Sequence, residues 1–153
     1  MDRILLTIAI PTYKRCKYAV QYVKHLLPQV NAHRDKVRLI VTDNHSEDGT
    51  FEALTEISRQ NDGVFKFYEQ KENSGWMNNF FFGIENSDAE FVFLLGDDDI
   101  VSPNFLDVVI PLLEQGGDRL GMLHFNYIMA SDNLSGGRLL YPNLENEQMV
   151  LEY

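Results

Sequence analysis

Only one cysteine, Cys16, stands in the 153 residues, so no disulfide forms within the chain, and a reducing, cytoplasmic setting is expected. Long hydrophobic runs are also missing: none reaches the roughly 18–20 residues of a membrane-spanning helix. The opening MDRILLTIAIPTYKR meets a proline and then charges before any small-residue cleavage site, so no signal peptide is read there. A basic surplus is lacking too, since the net charge is −10, and general nucleic-acid binding, which needs a basic face, is excluded. Neither GxGxxG, GxxxxGK[ST] nor GxSxG occurs, which argues against a dinucleotide-dependent dehydrogenase, a P-loop enzyme and an α/β-hydrolase. The histidines, His25, His33, His45 and His124, include no pair at helical metal-binding spacing.

What is present is enough for one hydrophobic core, with 44% hydrophobic and 24% charged residues, and a single domain is expected over 1–153. The charge is uneven. Residues 1–40 hold eight Lys and Arg against Asp2 and Asp35, so the acidic surplus falls wholly in the remainder. That basic part is a solvated face, a partner for a phosphate-bearing small molecule, or a peripheral contact with an anionic membrane.

Apolar or β-rich runs recur at Ile4–Ile10, Val37–Thr42, Val64–Tyr68, Phe91–Leu95 and Leu120–Ile128, and the first four are separated by helix-length stretches. That alternation predicts an α/β fold, a three-layer α/β/α arrangement with a mostly parallel, Rossmann-like central sheet. The first crossover helix covers Tyr18 to about Leu27, with Pro28 expected to end or kink it. The second is capped by Ser46 or Asp48 and carries Phe51, Leu54 and Ile57 on one face. The third carries Trp76, Phe80 and Ile84 at intervals of four, read as core, and a fourth runs from Pro103 to Gly116-Gly117. From about Ser131 to Tyr153 the polar, Asn- and Gly-rich texture predicts a loop or tail.

Ligands of open parallel sheets bind beyond the carboxyl ends of the strands, which directs attention to four loops. The acidic triplet Asp97, Asp98 and Asp99 directly follows FVFLL. Like charges ~4 Å apart repel by ~1 kcal/mol even in water, so the cluster either calls for a cation such as Mg²⁺ or Mn²⁺ or forms a solvated turn before a helix. Asp43 ends a buried strand, where it either accepts from a nucleobase or ribose or makes an Asx turn. Tyr13 is a stacking candidate or an ordinary tyrosine, and Lys14, Arg15 and Lys17 are candidate counter-charges for a diphosphate.

Taken in order, IAIPTYKR, LIVTDNHSEDGT, NSGWMNNFFFGI and FVFLLGDDDIVSPNFL resemble the nucleotide-binding half of the family 2 glycosyltransferases, inverting enzymes with the GT-A fold. The resemblance covers about Ile4 to Leu113. It implies that Pro11 and Tyr13 line a base pocket, that Asp43 contacts the base with uridine favoured, that Asn44 and Ser46 support that loop, and that Asn79 is part of the site. It also implies that the acidic triplet is the DxD-type motif, Asp97 and Asp98 serving the ribose and metal of a nucleotide diphosphate sugar and Asp99 assisting. Two positions depart from the pattern: Gly96 stands at the first acidic place, and Asn78 stands where an arginine often precedes the helix asparagine.

In the family the general base lies downstream, in an acceptor-binding half of comparable size. The expectation is therefore part of a longer enzyme that transfers a sugar to a glycan or lipid-linked glycan, with its base outside these residues. The alternative is a non-catalytic nucleotide-binding or interaction module. A receiver-type signalling domain ranks far below both, because it needs a lysine after the fifth strand and Met129-Ala130-Ser131 has none.

Overall fold

Runs rich in isoleucine, valine and threonine pair as parallel strands: β1 (Leu6–Thr12), β2 (Val37–Asp43), β3 (Phe65–Glu69) and β4 (Phe91–Leu94), in the order β3-β2-β1-β4. The structure is a computed structural model that describes residues 3–125, 127–129 and 137–139. Contacts divide the chain into two units, residues 1–111 and 112–153, and the sheet belongs to the first.

β1 pairs with β2 from Leu6↔Val37 to Thr12↔Asp43, and with β4 from Leu6↔Phe91 to Ala9↔Leu94. A proline inside so central a strand needs a reason. The Leu95 N–H donates to the Ala9 carbonyl (3.0 Å), so the backbone of Ala9 faces β4, and Pro11, two residues on, faces the same way beyond the last β4 pair. Its missing N–H therefore costs no ladder bond.

Helices α1 (Cys16–Ala32), α2 (Thr50–Gln60) and α3 (Trp76–Glu85) are the crossovers. Chain order steps one way from β1 to β3 and returns to β4. Right-handed connections then place α1 and α2 on one face, where they pack together, and α3 on the other, against β1 and β2. This is the three-layer α/β/α arrangement expected. Helix α4 (Phe105–Gly116) follows, with Leu106, Val109 and Ile110 buried. Among the described residues no helix is long and apolar enough to cross a membrane.

Three expectations change. Pro28 does not end α1, which continues to Ala32 with Val30 fully buried, since the apolar stripe through Val23, Leu26 and Leu27 extends past the proline. The run Leu120–Ile128 is not a fifth strand. Its residues 120–125 and 127 are irregular, and Ile128 alone joins a strand, β5 (Ile128–Met129), paired antiparallel with β6 (Arg138–Leu139). Apolar residues make a strand only where a neighbour takes their ladder bonds, and the four-stranded sheet stops at β4. The loop or tail expected at 131–153 lies outside the described residues apart from 137–139.

The third change concerns α3. Its Trp76 is 72% exposed, whereas Asn79 and Gly83, one turn apart, are the buried pair. A Cβ on Gly83 would stand 3.2 Å from the Cβ of Ala9, tighter than ordinary contact, so the missing side chain lets the helix lie close to β1 without displacing it.

Candidate functional site

The strand order reverses between β1 and β4, and such a reversal leaves a crevice at the carboxyl ends of the two strands. A cavity of about 330 Å³ opens there. Pro11, Thr12, Tyr13 and Arg15 supply one side of it and Asn44 and Asn73 the loops beyond β2 and β3. Trp76, Asn79 and Phe80 come from α3, and Asp97 from the loop after β4. Five residues expected from sequence, Pro11, Tyr13, Asn44, Asn79 and Asp97, therefore share one cavity. Asp43, Asp98 and Asp99 are not among its lining residues.

Asn79 is 2% exposed and its amide is largely spent on the protein itself. Its Nδ2 donates to the carbonyls of Thr12 (3.1 Å) and Thr42 (3.0 Å), at the ends of β1 and β2, and its Oδ1 accepts from Gln70 Nε2 (2.8 Å). One side chain thereby ties together both strand ends and the loop after β3. Asn44 acts similarly across loops: its Nδ2 donates to Asn73 Oδ1 (2.9 Å) and its Oδ1 accepts the Ser74 N–H (2.9 Å). Gln70, whose Oε1 accepts from Ser74 Oγ (2.6 Å), completes a network that sequence reading did not anticipate. Its signal is weak, since a glutamine after a strand is unremarkable until its partners are known.

Asp43 is fully buried, and both its oxygens accept from Ser46, one from the N–H (3.0 Å) and one from the hydroxyl. The Ser46 hydroxyl in turn accepts the Lys14 N–H (2.7 Å) and so joins the β2 loop to the β1 loop. Here the chain adopts left-handed conformations at non-glycine residues, φ being +53° at Lys14, +64° at His45 and +54° at Glu47. Such backbone persists where surrounding bonds hold it, and it is concentrated at binding sites. Asp48 supports the same corner by accepting from the N–H groups of Cys16 (3.1 Å) and Thr50 (3.2 Å). Burial acts to raise the pKa of Asp48, but the bonds from Thr50 and Cys16 outweigh it and hold the carboxyl below its ordinary value.

The acidic end is organised by Arg15, which sequence reading named only as one of three counter-charges. Its guanidinium donates to Asp97 Oδ1 (2.6 Å) and Asp98 Oδ2 (3.0 Å), while Thr12 Oγ1 donates to the other oxygen of Asp97 (2.7 Å). The bonds to Asp98 and Asp97 raise the Arg15 pKa further. Tyr22 on α1 is raised as well, first by its burial and then by the field of the three acids, with Arg15 partly offsetting them.

Gly96 explains its own departure from the family pattern. A Cβ there would stand 2.8 Å from Asp99 Oδ2 and 3.0 Å from Asp98 Oδ1, so the space a first acidic side chain would need is taken by the carboxylates of Asp98 and Asp99. Two hard oxygens gathered over one point fit a divalent cation that takes its remaining ligands from water and phosphate. Among the described residues no group of three or more Asp, Glu, His or Cys side chains is placed to hold a metal ion by itself. If Asp98 and Asp99 hold a divalent cation, Gly96→Ala is expected to weaken Mn²⁺ affinity about tenfold by titration calorimetry with little change in unfolding temperature, because the displaced atoms are the ends of flexible side chains. Unaltered affinity would show that the two carboxylates need not converge.

The profile of glycosyl transferase family 2 matches residues 7–148. Glycosyltransferase GlyG of Streptococcus pneumoniae is 25% identical over 130 residues, 84% of this chain and 42% of that protein. Abequosyltransferase RfbV of Salmonella typhimurium is 25% identical over 116 residues, 75% of this chain and 34% of that protein. Among solved structures, the mannosyltransferase PcManGT from Pyrobaculum calidifontis, in complex with GDP-Man and Mn²⁺, superposes with a TM-score of 0.64 at 19% identity, over 79% of this chain and 35% of its own. That likeness gives the fold as GT-A. The chain thus spans less than half the length of each relative. With the profile extending over nearly all of its sequence, the chain belongs to glycosyl transferase family 2.

Proposed function

We propose that the chain is the donor-binding part of an inverting glycosyltransferase that takes a sugar from a nucleotide diphosphate sugar, UDP-sugar favoured, and passes it to an acceptor glycan or lipid-linked glycan. The observation that supports this best is the cavity at the strand reversal, with aromatic and amide groups lining it and the Arg15–Asp97 pair beside them. Pro11 and Tyr13 hold the base, and Asp43 shapes the base pocket by fixing Ser46 and, through it, the backbone of Lys14. Asp97 faces the ribose, its second oxygen fixed by Thr12. Asp98 and Asp99 hold Mg²⁺ or Mn²⁺ on the diphosphate. When bound, the cation neutralises charge on the departing diphosphate.

The relatives named above are consistent with this in that one was solved with GDP-Man and Mn²⁺. Arg15, already paired with Asp97 and Asp98, favours a second reading, nucleotide binding without metal or transfer. Thermal unfolding with UDP, GDP, dTDP and ADP, with and without Mn²⁺ or Mg²⁺, separates the two. Ligand at ~100 times its Kd adds ~2.7 kcal/mol, several degrees for a domain this size. A shift with one nucleotide that requires the metal is the expected result. A shift indifferent to metal supports the second reading, and no shift with any nucleotide overturns both.

A further inference from the structure

Trp76 is the sole tryptophan of the chain, and at 72% exposure it is out of place for a core residue. It stands at the start of α3 and lines the cavity together with Phe80, one turn further along the same side of the helix. Three aromatic pairs stack within the domain: Phe51 with Phe67, Tyr68 with Phe82, and Phe93 with Phe105. Tyr13 has a cation over its ring, the Lys14 Nζ lying 5.3 Å from the centroid. Among the described residues neither ring nor cation stacks on Trp76.

Its backbone is nonetheless held firmly. Gly75 takes φ +86°, a conformation suited to glycine, with its N–H on Asn73 Oδ1 (3.0 Å). Asn73 also accepts from Asn44, and the Ser74 carbonyl accepts from Asn78 Nδ2 (2.8 Å). The indole is thus presented at the cavity by a turn braced by the loop after β2 and by α3 itself. An uncovered, pre-positioned indole matches a flat heteroaromatic ligand, because stacking recovers the apolar area that water otherwise surrounds.

We infer that Trp76, backed by Phe80, is the stacking wall for the nucleobase of the donor. This rests on the donor-site reading above. Tyr13, partly covered by Lys14, is then the secondary aromatic contact, and the indole contributes the larger share of base affinity.

Because the chain has one tryptophan, emission excited at the red edge, beyond tyrosine absorption, reports this side chain alone. Titration with UDP or GDP in Mn²⁺ is expected to quench that emission with the same midpoint that calorimetry gives. Inorganic pyrophosphate with Mn²⁺, which has no base, is expected to bind without quenching. Trp76→Ala should raise the Kd for UDP roughly 5- to 100-fold. It should leave pyrophosphate affinity and the ligand-free unfolding temperature unchanged, the residue being so exposed, and Trp76→Phe should recover part of the loss. Calorimetric nucleotide binding with unmoved emission and an unchanged Kd in Trp76→Ala overturns the inference while the donor site stands. An equal loss for pyrophosphate overturns it too, since the residue then acts without the base. Absence of any nucleotide binding in calorimetry defeats the donor-site reading, and this inference with it.

Discussion

Asp98→Asn is expected to abolish the metal-dependent part of nucleotide affinity while leaving the domain folded. The side chain of Asp98 is 57% exposed and its partner Arg15 41% exposed, so the ion pair between them contributes little to stability, about 0–1 kcal/mol by the standard of surface pairs. Arg15 keeps Asp97, and one of three adjacent negative charges disappears, which relieves repulsion. Cation binding has no such reserve. If Asp98 and Asp99 are the protein's two ligands, the amide replaces one of two hard anionic donors by a neutral one, and affinity falls tenfold for each ~1.4 kcal/mol lost. Titration of UDP by calorimetry with and without Mn²⁺ checks this. A variant whose Mn²⁺-dependent gain equals that of the parent chain would remove Asp98 from the metal site.

Asn79→Ala should cost about 1–2 kcal/mol of stability, because Gln70 Nε2 loses its acceptor and two buried strand-end carbonyls each lose one donor, while the Thr12 carbonyl keeps the Asn44 N–H (3.0 Å). The Thr12 and Thr42 carbonyls lose their shared donor, and Gln70 Nε2 loses its acceptor. Some of this is recovered by rearrangement of Gln70, which is only partly buried. Urea denaturation is expected to show a lower midpoint at an unchanged slope, the mark of a stability change without a change in the folded state's compactness. Nucleotide affinity should fall with it, since the link from the two strand ends to Gln70 and the loop after β3 is lost. A loss well below about 1 kcal/mol would mean that the backbone donors suffice for these carbonyls and that the scaffold does not need the Asn79 amide.

Much of the site was legible in the chain because parallel α/β sheets place their binding loops at strand ends, and strand ends are visible in sequence. ILLTIAI and FVFLL stop abruptly at Pro11 and Gly96, and the residues that follow are those that meet in the crevice. α3 was the place where pattern misled. WMNNFFFGI is apolar on nearly every side, so a spacing of four through Trp76, Phe80 and Ile84 is no more informative than several others. Which face lies on the sheet depends on the absence of a side chain at Gly83 beside Ala9, and on the two strand-end carbonyls to which Asn79 donates. Neither is a periodic property.

Gly96 makes the same point for the acids. In sequence it reads as a lost ligand. In space it is the room into which Asp98 and Asp99 fold. The sequence by itself determined the class of fold, the order of strands and helices through α4, and the loops in which chemistry gathers. These depend on local alternation, β-branched runs and turn residues, which act over a few positions. Tertiary structure alone decided which aromatic faces the cavity, which amide serves the scaffold and which acid Arg15 takes. Those outcomes depend on distances between residues as far apart as Arg15 and Asp97, or Asn79 and Thr12, which exist only once the strands have paired.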